Sequence, residues 1–165
     1  ITTNNKSFYN KIINYRNLGS VEKFKHTQVG VNSRLDTIQA AILIRKISLL
    51  KLYNSKRRKI ANIYNKNIIN QKIQKLNYSN NSVYHQYFIL VKKRNSLIDI
   101  LKKNQIQYGF HYPKSINQID VLKKRFRNKK FFNAEYLAKN CISLPIDPNL
   151  KKNQINKIVN ILNSF

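Results

Sequence analysis

The chain has 165 residues, enough for one ordinary domain, and its 32 basic against 6 acidic residues give a formal charge of +26 and a pI near 10.4. Such a surplus normally points to a polyanion partner, but Lys, Asn and Ile supply 24, 25 and 23 residues and only 5 are Ala, as in a gene drifting towards A and T. The basic residues are dispersed, with short clusters at 56–59, 123–127 and 129–130, and no apolar run approaches the roughly 18 residues of a spanning helix, so no specific nucleic acid and no membrane is expected, and a soluble cytoplasmic protein is the default.

In chain order, residues 7–17 place Phe8, Ile12, Ile13 and Tyr15 at mostly helical spacing. Residues 29–41, V-G-V-N-S-R-L-D-T-I-Q-A-A, then run a loop into a helix start, with Asp36 as N-cap and Gln39 three residues on, close to a capping box. The helix is predicted over 37–69, with Leu50, Tyr53, Arg57, Ile60, Ala61, Tyr64 and Ile68 on one face. Residues 83–91 are β-branched and aromatic on both faces, which predicts a strand covered on both sides. A helix capped by Ser96 with Asp99 follows and buries Leu97, Ile98 and Leu101. Residues 106–112 form a second predicted strand, 131–140 a helix, 142–146 a third strand, and 153–162 a closing helix with Ile155, Ile158, Val159 and Leu162 inward. Cys141, the single cysteine, falls among apolar residues and reads as core. The fold class is α/β.

Candidate site residues lie in two places. In G-V-N-S-R, Gly30 permits a turn that other residues resist, and Asn32 and Arg34 offer donors suited to phosphate. Phosphate is held well where N–H groups converge near a helix N-terminus, although a plain turn before a helix has the same composition. In G-F-H-Y-P (residues 109–113), His111 can donate or accept, Tyr112 offers a hydroxyl on an aromatic platform, and Pro113 fixes the chain. That tip either positions a sugar hydroxyl or diphosphate oxygen or is a strand end with a satisfied histidine. His26 and His85 have weaker claims. Six scattered carboxylates give no paired-carboxylate hydrolase, the three His and one Cys no metal site, and 3 Gly no P-loop or dinucleotide turn.

With K-R-R-K-I-A-N-I-Y at 56–64, S-V-Y-H-Q-Y at 82–87, G-F-H-Y-P, and A-E-Y-L-A followed by I-S-L-P-I-D-P up to Pro148, the pattern G-x-N-x-R-x-D-x-x-Q-A-A resembles the DegT/DnrJ/EryC1/StrS family of pyridoxal-phosphate sugar aminotransferases. The resemblance covers nearly the whole chain and implies the C-terminal part of a fold-type I, aspartate aminotransferase-like enzyme. Residues 1–69 would be the end of the large domain, the phosphate-contact loop and a bridging helix; residues 70–165 would be a small domain with a roughly three-stranded sheet and flanking helices. The opening I-T-T-N-N looks like the family's strand after its Schiff-base lysine, which puts that lysine upstream of Ile1. The carboxylate facing the pyridine nitrogen and the residues stacking on the ring would also lie outside this chain, leaving no catalytic residue here.

The resemblance assigns pyridoxal 5'-phosphate as cofactor and Asn32 as its phosphate contact, reaching from one subunit of a homodimer into the other's site. It makes His111 and Tyr112 substrate contacts at the mouth of the site. Arg34 either contacts nucleotide phosphate or holds the loop through an ion pair with a carboxylate. The implied activity is transfer of an amino group, usually from glutamate, to a keto-sugar nucleotide in amino-sugar or surface-polysaccharide biosynthesis, with 3-keto substrates favoured over 4-keto. The isolated chain would be inactive. Two rivals are a non-catalytic remnant or split-gene partner of such an enzyme, and a basic nucleic-acid-binding protein.

Overall fold

Asn5 starts the first helix: its side-chain oxygen accepts from the Phe8 amide at 2.9 Å, satisfying one of the orphan donors of the opening turn. In the computed structural model, which describes residues 1–79, 81–127 and 129–165, this helix α1 runs Lys6–Arg16 and buries none of its residues. Ile1 to Asn5 form no strand, contrary to expectation, since no neighbouring strand pairs with them among the described residues. A small antiparallel hairpin, unforeseen in the sequence, pairs β1 (Ser20–Glu22) with β2 (Lys25–His26), and Phe24 turns the chain with φ of +66°. With only two or three residues per strand, it lacks the alternation that announces a hairpin.

Helix α2 spans Thr37–Asn67, 31 residues. The chain divides into two compact units, 1–49 and 50–165, with the division inside α2, whereas the sequence reading put a domain boundary after residue 69. The C-terminal half of α2 explains the difference: Ile60, Ala61 and Tyr64 are buried in the core of the second unit, joined by Ile68 beyond the helix end. Leu50, expected on the same face, is half exposed.

The second unit is built on a three-stranded antiparallel sheet in the order β3 (Ile73–Lys75), β4 (Tyr87–Val91), β5 (Cys141–Leu144). Ile89 of the central strand pairs with Lys75 on one side and Ile142 on the other. The number of strands matches the expectation, but one identity does not. Residues 106–112 form no strand; Gln105 turns with φ of +58°, and only Gly109 pairs with β5, through reciprocal bonds with Ser143 of 3.1 and 2.8 Å. The missing place is taken by β3, whose single apolar residue, Ile73, sits among Gln and Lys and leaves no periodic signal. The strand expected from residue 83 starts at Tyr87 because Tyr84 has φ of +49°.

Helices pack against this sheet. α3 (Arg94–Lys103) buries Leu97, Ile98 and Leu101 as expected, but Lys93 takes the cap position and Ser96 lies inside the helix, because only two residues separate it from β4. A 3₁₀ turn at Ile116–Gln118 and a one-turn helix α4 (Asp120–Lys123) lead to α5 (Phe132–Asn140). The closing helix α6 (Lys152–Ser164) buries Ile155, Ile158, Val159 and Leu162, the apolar face its spacing predicts. Cys141 is buried, as expected, and burial raises its thiol pKa.

Candidate active site

The loop before α2 is fastened to the end of α1 by backbone bonds: Val31 N–H donates to Tyr15 at 2.8 Å, Leu18 N–H to Val31 at 3.1 Å, and Ser33 N–H to Arg16 at 2.9 Å. Asn32 sits at the centre of this strap, bridged to Asn17. Gly30 serves it by close approach and has no positive φ, so the turn argument from sequence is replaced. A Cβ there would strike the Gly19 nitrogen and lie 2.5 Å from the Tyr15 oxygen and 2.8 Å from the Leu18 carbonyl carbon, all backbone.

Arg34 Nε donates to Asn32 Oδ1 at 3.1 Å. Its partner is thus an amide, and none of the ion pairs among the described residues includes Arg34. The geometry fixes the polarity of Asn32. A guanidinium can only donate, so it takes the amide oxygen and leaves both Nδ2 protons for another acceptor. The Asp36 carbonyl accepts the first helical bond, from Ala40 at 2.9 Å, so the exposed amide and guanidinium lie just before the positive end of a long helix. Two N–H donors, a fixed positive charge and a helix N-terminus form a donor set that suits phosphate.

The second place lies beside β5. His111 Nδ1 is 2.8 Å from Ser143 Oγ, and its ring stands 6.2 Å from Phe88 and 5.9 Å from Tyr112. Gly109 makes room for the ring: a Cβ there would come 2.9 Å from His111 Cε1. His111, Ser143, His85, Gln86, Gln107 and Tyr108 line a cavity of about 400 Å³. The structure therefore gathers His111 and the weaker candidate His85, while Tyr112 is 75% exposed and Pro113 lines a different cavity, with Arg94 and Glu135. His26, by contrast, spends Nδ1 on the Leu18 carbonyl at 3.0 Å, a local structural bond.

Ser143 escaped the sequence reading. A usable signal existed: it is the polar residue inside C-I-S-L, a strand buried throughout, and a buried hydroxyl requires a partner. The wall behind it is tied together by hydrogen bonds. Tyr64 donates to the Pro145 carbonyl at 2.8 Å, Tyr87 to Asn65 Oδ1 at 2.5 Å, and the Phe88 amide to the Tyr78 hydroxyl at 2.7 Å. Burial first, and neighbouring phenols second, raise the Tyr64 and Tyr87 pKa values far above the ordinary phenol range, so both stay protonated and act as props instead of bases. Among the described residues there is no group of three or more His, Cys, Asp and Glu able to hold a metal, and no helix long and apolar enough to cross a membrane.

The sequence profile of the DegT/DnrJ/EryC1/StrS aminotransferase family matches residues 1–163. The chain belongs to that family. It is similar to the dTDP-3-amino-3,6-dideoxy-alpha-D-galactopyranose transaminase of Aneurinibacillus thermoaerophilus, 32% identical over 100% of this chain and 46% of the relative. It is also similar to the UDP-N-acetyl-3-dehydro-alpha-D-glucosamine 3-aminotransferase of Acidithiobacillus ferrooxidans, 29% identical over 98% and 44% respectively. Among solved structures, DesV of S. venezuelae, in complex with a ketimine intermediate, superposes with a TM-score of 0.87 at 25% identity, covering 99% of this chain and 45% of DesV. The chain thus spans about half the length of the family members it matches. Its α/β fold is that of the corresponding part of a fold-type I sugar aminotransferase.

Proposed function

We propose that this chain supplies the phosphate-contact loop and one wall of the substrate site in a pyridoxal-phosphate-dependent aminotransferase that moves an amino group from an amino acid, glutamate, to the ketone of a sugar nucleotide. Family membership supports the reaction class. Two relatives named for 3-amino or 3-dehydro sugars support a ketone at C3. The single structural observation behind the reading is Asn32: its oxygen is engaged by Arg34, its amide protons have no partner among the described residues, and it stands just ahead of α2. That donor set fits a phosphate ester, so Asn32 would hold the phosphate of pyridoxal 5'-phosphate, and Arg34 would orient Asn32 and add positive charge for a phosphate of cofactor or nucleotide.

When bound, that cofactor supplies the electron sink for exchanging an amine for a carbonyl. The chain's own part is to bind and orient. His111 and Tyr112 would meet the sugar nucleotide beside the open cavity that Ser143 lines. The lysine that holds the cofactor would lie in the part of the family that this chain does not span, upstream of Ile1 in family order. Residues 1–69 would then hold the end of the large domain, the phosphate-contact loop and the bridging helix, whose C-terminal half packs into the core of the small domain formed by 70–165. The working enzyme would be a cytoplasmic homodimer in which Asn32 serves the other subunit's site, and its product would enter amino-sugar or surface-polysaccharide synthesis.

The test uses the complete product of the gene, glutamate, and dTDP- or UDP-linked 3-keto and 4-keto sugars. Mass spectrometry should show the 3-keto compound gaining an amine in place of its carbonyl oxygen. Failure with every nucleotide sugar, in a product that carries the cofactor lysine, would overturn the reading.

A further inference from the structure

We propose that Ser143 is a positioning residue: its hydroxyl donates to His111 Nδ1 and thereby fixes the imidazole with its proton on Nε2, as a hydrogen-bond donor to an oxygen of the sugar nucleotide. The inference rests on the substrate role given above to His111, and its chemistry follows from hydrogen-bond accounting. Ser143 is buried at 7% exposure in β5, and His111 Nδ1, at 2.8 Å, is the one hydrogen-bond partner of its Oγ among the described residues. Were the imidazole to donate from Nδ1, the hydroxyl would accept, and its own proton would be left without a protein acceptor among the described residues. An orphaned buried donor is the costlier arrangement, because a spare lone pair on oxygen is tolerated and an unpaired O–H is not. The hydroxyl therefore donates, Nδ1 is the unprotonated nitrogen of the neutral ring, and Nε2 carries the proton.

The bond itself sets the ring's orientation: turning it over would carry Nδ1 away from Ser143, and Phe88 and Tyr112 flank the exposed ring at 6.2 and 5.9 Å between centroids. Gly109, lacking a Cβ, lets the ring lie close enough for the bond. The backbone bridge between Gly109 and Ser143 fixes the two ends of the arrangement to the same strand edge. His111 and Ser143 both line the cavity of about 400 Å³, so a donor at Nε2 suits the hydroxyl, carbonyl and phosphoryl oxygens with which a sugar nucleotide is covered.

The experiment labels the 165-residue chain with 15N-histidine and records two-bond proton–nitrogen correlations at about pH 9, above the ordinary imidazole range. His26→Gln and His85→Gln identify the signals of His111. Expected is the Nε2–H pattern, with Nδ1 shifted as an acceptor. Ser143→Ala should move Nδ1 to the position of an unbonded ring nitrogen, Ser143→Thr should restore it, and Ser143→Cys, a weak donor of similar size, should fall between. An Nδ1–H pattern in the wild type would overturn the proposal, as would nitrogen signals unmoved by Ser143→Ala in a chain whose other histidines report an intact fold. If Ser143→Ala unfolds the chain, the Cys variant decides by the same signals. In the complete enzyme, Ser143→Ala should raise KM for the sugar nucleotide roughly 2- to 12-fold, the worth of one hydrogen bond, at nearly constant kcat. A kcat loss at unchanged KM would contradict a binding donor. Because the tautomer is read without cofactor or sugar, failure of the aminotransferase reading leaves a result of its own.

Discussion

Gly109→Ala places a methyl group against the His111 ring, whose orientation the proposed bond to Ser143 depends on. The added Cβ would lie 2.9 Å from His111 Cε1, 3.4 Å from His111 Nδ1 and 3.7 Å from Ser143 Cβ. Two of these three contacts belong to one ring, none is backbone, and Gly109 needs no positive φ. Held rigid, such an overlap costs roughly 1–3 kcal/mol. Here the ring can swing away, so the expected loss lies at the low end, about 1 kcal/mol, near 0.5 M in urea midpoint for an m-value of about 2 kcal/mol/M. The larger effect falls on the bond to Ser143: losing a net 0.5–1.5 kcal/mol lowers the bonded population by a factor of roughly 2 to 12. Urea unfolding followed by far-UV circular dichroism, together with the His111 nitrogen signals, measures both. A stability loss above about 3 kcal/mol would mean that the backbone bridge to Ser143 had broken instead. Unchanged His111 signals would refute the steric argument outright.

Gly30→Ala should behave differently, because all its close contacts are backbone: the loop has to lift off α1, and the Val31 and Ser33 amides, which donate to Tyr15 and Arg16, should lose at least about tenfold in hydrogen-exchange protection. Equal protection in both proteins would contradict that fastening. Tyr64→Phe keeps the ring but leaves the Pro145 carbonyl without its donor, so stability should fall by about 1–2 kcal/mol in urea titration; a neutral result would show that water replaces the hydroxyl. Glu135 accepts from the Asn117 side chain, the larger effect, and from the Phe131 amide, which lower its pKa below the ordinary 4.5. A depressed carboxylate stabilises the fold fully above its unfolded pKa and loses that contribution as pH falls through the folded value. The stability advantage of wild type over Glu135→Gln should therefore be present at neutral pH and be lost on acidification as the pH falls through the lowered folded value. An advantage that grows on acidification would reverse the assigned cause.

Elements with a long apolar rhythm could be read directly. Helix α6, with Ile155, Ile158, Val159 and Leu162, and the buried end of α2, with Ile60, Ala61 and Tyr64, follow from spacing because their burial is on a single face. Strand β4 was legible as a two-sided strand for a different reason, an unbroken apolar and aromatic run that both faces bury. What was hidden depends on partners distant in sequence. β3 has one apolar residue and exists because β4 offers it a pairing edge, while residues 106–112 look like a strand by composition but reach β5 only at Gly109. The site divides in the same way. Asn32 and Arg34 announce a donor cluster in five residues of sequence, and the structure adds only that one orients the other. Ser143 lies 32 residues from His111, and no local pattern links them. The true reason for Gly30 was also out of reach, since the backbone that it meets belongs to Tyr15, Leu18 and Gly19.

The central claim is that Asn32 contacts a cofactor whose lysine lies outside this chain and on the other subunit. Subunit complementation tests it directly. Asn32→Ala in one complete enzyme should lower activity about 10- to 100-fold, the worth of a hydrogen bond to a charged group, and a second enzyme lacking the cofactor lysine should be inactive. When the two are unfolded and reassembled together, a mixed dimer has one site with both groups intact, so activity should recover to about a quarter of wild type for equal, random pairing. Recovery to that level places Asn32 across the interface. No recovery, in mixed dimers shown to have formed, would put Asn32 in its own subunit's site or out of the chemistry altogether, and would contradict the claim.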